Sequence, residues 1–145
     1  MLIILTTFQC VSIIFACAAT FTGIQAMLDP VGFAASFGIP VLSFESQDRY
    51  SKSVNTVTTA YISLMGVRQL ATGITLLVFA SQRQWYEMAT LLSILGFVVA
   101  GTDGYFLYKM SSIGKGAFHA VPGAAIALLA MVTLLYRPRS SDIVQ

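Results

Sequence analysis

The sequence predicts an all-α integral membrane protein, an antiparallel bundle of four transmembrane helices, on three observations. Of its 145 residues 57% are hydrophobic and only 10% charged, whereas a soluble domain carries about 25% charged residues. Apolar stretches of about 20 residues, the length that spans a hydrocarbon core, recur along the chain. The later stretches are joined by short turns, which favour antiparallel neighbours. A separate soluble domain has no room, so residues 1–145 read as a single membrane domain.

The first span, 2–28, is uninterrupted by charge and stops at Asp29-Pro30, where proline cannot extend a helix. Ala16-Cys17-Ala18 would suit a cleavage site, but the positive leader of a signal peptide is missing and the apolar run continues, so the segment reads as a retained span. Residues 29–53 mix Phe33, Phe37, Gly38, Pro40 and Phe44 with Glu45, Asp48 and Arg49; this composition predicts an interfacial or re-entrant loop. The second span, 54–80, carries one charge, Arg68, and closes at Ser81-Gln82-Arg83-Gln84. The third, 85–110, opens on Trp85 and Tyr86, which suit an aromatic belt. The fourth, 117–136, ends at Arg137-Pro138-Arg139.

Several functions are excluded at this level. The eight basic residues are scattered singly, so there is no basic stripe for nucleic acid. Cys10 and Cys17 lie seven positions apart on one helix, too far to bridge, and they match no CxxC redox or zinc pattern. Basic residues fall on both faces of the expected bundle, so the positive-inside rule assigns no orientation.

The polar groups inside the spans carry the functional signal. Arg68 lies fourteen positions into the second span, about 21 Å from its start. A charge at that depth costs at least about 2.5 kcal/mol unless it is compensated. Asp103, seven positions before the end of the third span, is the expected counter-charge. Asp29 ends the first span and His119 begins the fourth, so four segments each bring one ionisable group toward the same face. The plain structural readings are a helix-end residue for Asp29 and an interfacial one for His119. Tyr61, Met65, Arg68, Thr72 and Thr75 form one stripe on the second span at about 100° per residue. Tyr61 on that stripe and Tyr105 beside Asp103 are candidate hydrogen-bond donors to a substrate, whereas Tyr108 and Tyr136 suit anchoring. Gly96, Gly101 and Gly104, with Pro122-Gly123, permit close helix approach and a kink. Arg83 and Glu87 are expected to form a helix-turn ion pair.

Gly66-Val67-Arg68-Gln69-Leu70-Ala71-Thr72-Gly73, Gly101-Thr102-Asp103-Gly104 and His119 before Pro122-Gly123 resemble a family of small four-helix membrane proteins of fungi and bacteria. The resemblance also takes in Asp29-Pro30 and Phe37-Gly38-Ile39-Pro40. Some fungal members, found in secondary-metabolite clusters, resemble the membrane hydrolases of aurovertin- and citreoviridin-type polyketide pathways, which open polyene epoxides and direct ether-ring formation. The resemblance implies an enzyme acting on a hydrophobic epoxide, located in the endoplasmic reticulum.

That chemistry needs a carboxylate to deprotonate water or a substrate hydroxyl and a donor for the developing alkoxide. Asp103 is the expected general base, oriented by Arg68, with Asp29 or His119 assisting at the epoxide oxygen. Tyr61, Thr72 and Tyr105 are the expected substrate-binding residues, and no metal or organic cofactor is required. A covalent aspartyl ester is the alternative route. Two other functions compete: a small transporter or channel subunit using the buried charges as an ion or proton pathway, and a noncatalytic scaffold. The expected surroundings are the lipid bilayer and, by assembly, a homo-oligomer.

Overall fold

A computed structural model describes residues 2–36, 49–110 and 113–136, with side chains for all of these except 2, 49–54, 110, 113, 115, 116, 118 and 119. Every element among the described residues is helical: α1 (Leu2–Leu28), α2 (Pro30–Ser36), α3 (Arg49–Ser81), α4 (Trp85–Ile94), a π-helical turn (Leu95–Val99), α5 (Ala100–Met110) and α6 (Ile113–Leu135). The all-α class is therefore as expected. Three helical stretches are long and apolar enough to cross a membrane: Ile3–Leu28, Asn55–Ser81 and Trp85–Lys109, the last running through the π turn. In α6 the apolar stretch among the described residues is Ala120–Leu135, about 24 Å at 1.5 Å per residue, shorter than a hydrocarbon core of about 30 Å.

Two stretches expected as loop are helical. Asp29-Pro30 does end α1, but the same dipeptide starts α2, with Asp29 as its N-cap and Pro30 in the first helical position, where proline's missing N–H is no loss. The Asp29 N–H still donates to the Gln25 carbonyl at 2.8 Å, and its carbonyl accepts from the Phe33 N–H at 2.9 Å. At the other end of the expected loop, α3 begins at Arg49, ahead of its apolar part. Hydropathy marks where a helix can meet lipid, whereas backbone hydrogen bonding carries it on through polar residues. Phe37, Gly38, Pro40, Phe44, Glu45 and Asp48 lie outside the described residues.

The chain divides into two compact units, Met1–Ile13 with Val78–Gln145, and Ile14–Leu77. In the second unit α1 and α3 run antiparallel along a seam of small residues. A Cβ on Gly23 would lie 2.5 Å from the Leu70 nitrogen, one on Gly66 2.9 Å from the Ala26 Cβ, and one on Gly73 2.6 Å from the Thr20 nitrogen. Positions rise on α3 as they fall on α1, which is what makes the pair antiparallel. Ala16, Ala19 and Ala26 are buried on the α1 side, with Leu76 buried on α3. Without large side chains between them the two backbones touch, the usual basis of helix association in lipid.

In the first unit α6 packs against α4, the π turn and α5. Gly96 abuts Gly123 and Ala127, and Gly123 abuts Ala100, again an antiparallel order. Met88, Ala89, Leu92, Leu107, Ile126, Ala127 and Ala130 are its buried apolar residues on these helices, and Phe8 and Ser12 of α1, in the same unit, are buried too. Pro122 sits inside α6, where it cannot donate the bond to the carbonyl four residues earlier.

Candidate functional site

Asp103 lies in the first turn of α5, immediately after the π turn. There the Ala100 N–H reaches back five residues to the Leu95 carbonyl, and the Thr102 hydroxyl donates to the Val98 carbonyl at 2.5 Å. Asp103 is half-buried, whereas Gly104 beside it is buried. Its carboxyl group thus lies at the edge of a packed helix face rather than in its middle. Turns of π geometry are rare and recur at functional sites.

Tyr105, expected to face a substrate, is exposed, and the Lys109 ammonium stands over its ring at 5.2 Å from the centroid. The ring also meets Phe106 edge-on at 5.7 Å. This four-residue spacing stacks a cation on an aromatic face and gives Tyr105 a local structural role. His119 lies within α6, but its imidazole is outside the described residues.

In the second unit the stripe on α3 exists as expected: Tyr61 and Met65 are 67% and 54% exposed, Arg68 and Thr75 are exposed and Thr72 is half-exposed. The seam with α1 uses the opposite side of α3, through Gly66 and Gly73, so the arginine is left on the outer side. The hydroxyls of Thr72 and Thr75 donate to the Arg68 and Ala71 carbonyls at 2.9 and 2.8 Å. Both protons are held within the helix.

Asp29 has a structural task. Its Oδ1 accepts from the Gly32 N–H at 2.9 Å, the standard capping bond to the third helical residue. The carboxylate is exposed at the α1–α2 junction. The expected Arg83–Glu87 pair does not form, because Arg83 has left the helix. It adopts the left-handed conformation (φ 58°), while the Gln84 N–H closes back on the Phe79 carbonyl at 2.8 Å. The i,i+4 geometry needs both residues on one helix.

Two features add to what the sequence predicts, the α1–α3 seam and the π turn. The seam is signalled by Ala16, Ala19, Gly23 and Ala26 on one segment and by Gly66 and Gly73, seven apart, on the other. The π turn has no comparable signal: Gly96, Ala100 and Gly104, four apart, are equally what a regular helix uses for close packing. Among the glycines expected to pack, Gly96 and Gly104 are buried, but Gly101 is exposed and open on its Cβ side.

Neither a curated protein nor a solved structure matches the chain. A family model described as a domain of unknown function, DUF4267, matches residues 16–133. That span takes in Arg68, Asp103, both glycine contacts and the π turn, and the chain belongs to the DUF4267 family.

Proposed function

We propose that this DUF4267 chain is a multi-pass membrane enzyme that opens epoxides of a hydrophobic polyketide, with Asp103 as general base. One observation carries the reading: a carboxylate in an apolar span, half-buried and held at the edge of a helix seam directly after a π turn. Ionisable groups at such depth are costly, which makes function their default explanation. The resemblance of the Gly-Thr-Asp-Gly and Arg68 segments to membrane epoxide hydrolases and cyclases of secondary metabolism supplies the substrate class.

In the proposed step the Asp103 carboxylate takes the proton of water or of a substrate hydroxyl as that oxygen bonds to an epoxide carbon. The epoxide carbon–oxygen bond breaks, and its oxygen leaves as an alkoxide that is then protonated. Asp29 is assigned to the helix cap rather than to chemistry, and Arg68 to the electrostatics of the reacting anion. The endoplasmic reticulum is the proposed location. Co-expression with a producer of polyene polyepoxides tests this. The wild-type chain converts the epoxides and Asp103→Asn does not, and an Asp103→Asn product profile identical to an active wild type removes the base. Single turnover in oxygen-18 water distinguishes the covalent route, because oxygen derived from the enzyme carboxylate then appears in the product.

The exposed Arg68 favours a second reading, an anion pathway. In liposomes, anion flux abolished by Arg68→Met, without epoxide conversion by the wild type, selects it.

A further inference from the structure

We infer that the π turn Leu95–Val99 is a register device that holds Asp103 at the edge of the seam with α6 rather than inside it. The inference rests on the reading of Asp103 as a base for its purpose, but not for its geometry. Leu92 and Asp103 are eleven positions apart. Eleven steps of about 100° come back to within about 20° of the starting direction. In an uninterrupted α-helix Asp103 would therefore point the same way as Leu92, which is fully buried. Gly104 would stand about 120° from Leu92, at the margin of the packed face.

The burial pattern is the reverse. Gly104 is buried and Asp103 half-exposed. One extra residue in the turn, marked by the Ala100 N–H bonding to Leu95 five positions back, turns everything after it by about 100°. Gly104 then falls within about 20° of Leu92 and Asp103 about 80° away. The same rotation brings Ala100 from about 80° and Gly104 from about 120° to within about 20° of Leu92, and Gly123 of α6 abuts both Gly96 and Ala100. The turn thus does two things at once. It puts small residues where the helices touch, and it keeps a carboxylate out of a contact where the charge would be costly to bury.

An alanine inserted between Ala100 and Gly101 adds one step after the turn, whereas deletion of Val98, which is 60% exposed, removes the extra residue together with the turn, leaves everything after it facing as before and serves as the control. In a chain with Cys10 and Cys17 replaced by alanine, single nitroxides are placed from Thr90 to Phe106 and their collisions with oxygen are measured in bilayers. The unaltered register gives a phase jump of about 100° between the positions before Leu95 and those after Val99. A continuous phase overturns the inference, whether or not any variant folds. With the inserted alanine every residue after it turns by a further 100°, so the oxygen accessibility of a nitroxide at 106 falls and that at 101 rises, and conversion of a polyene epoxide falls at least tenfold; the Val98 deletion keeps both accessibilities and turnover. A folded insertion variant that shows these accessibility changes and retains full turnover refutes the positioning role. If the wild type converts no epoxide, the functional reading fails while the phase scan still decides the register.

Discussion

Gly73→Ala and Gly101→Ala are the same chemical change, and the structure gives them opposite signs. At 101 the new methyl meets nothing within 4 Å, so only the backbone term remains, a gain of about 1 kcal/mol for replacing glycine in a helix interior. At 73 the Cβ would lie 2.6 Å from the Thr20 nitrogen and 3.0 Å from the Ala16 oxygen. Both atoms are backbone of α1 and cannot swing aside. Restoring an ordinary separation of about 3.5 Å needs the helices to part by about 1 Å. A gap of that size forfeits a quarter to a half of each contact well of about 0.1–0.2 kcal/mol, so some 40 atom pairs along the seam lose about 2 kcal/mol. Set against the same propensity gain, Gly73→Ala is expected to destabilise by about 1 kcal/mol net. The measurement is the folded fraction during titration with sodium dodecyl sulfate in mixed micelles. A Gly73→Ala chain as stable as Gly101→Ala refutes the close α1–α3 contact.

Other variants test neighbouring conclusions. Adding Gly23→Ala to Gly73→Ala costs less than the sum of the two, because the first methyl already opens the seam for the second; chemical denaturation of the double variant checks it. Arg83→Gly raises the thermal midpoint, since a left-handed conformation costs an L-residue about 1–2 kcal/mol and glycine's greater unfolded entropy offsets part of that. Asp29→Ala loses about 1 kcal/mol with the cap of α2, while Asp29→Asn retains both the cap and epoxide conversion; abolished conversion in a stable Asp29→Asn would return Asp29 to the chemistry. Tyr105→Phe keeps the ring beneath Lys109 and leaves turnover unchanged, as followed by product analysis.

Much of the architecture was legible because lipid-compatible helices announce themselves by length. The boundaries of α1 follow directly from its apolar run and from Asp29-Pro30. The same dipeptide hid α2, since a signal that ends one helix can also begin the next. Pairing was less legible. The close contacts within each unit follow small residues: Gly23, Gly66 and Gly73 for α1 with α3, Gly96 and Gly123 for the third span with α6. Steric fit is decided at the ångström scale, which a list of charges does not register. A helical wheel assumes a constant 100° and therefore puts Asp103 in line with Leu92. The π turn breaks that assumption.

The threonine hydroxyls on the outer side of α3 have a consequence for ligand choice. Because the Thr72 and Thr75 protons are already bonded to the helix, these side chains offer a visitor only lone pairs. An epoxide or an ether has lone pairs of its own and no hydrogen to give, so it would meet two like-natured surfaces there. On this stripe its oxygen would have to turn to Tyr61 or Arg68, and Thr72 would select instead for the hydroxyl of a partly opened substrate.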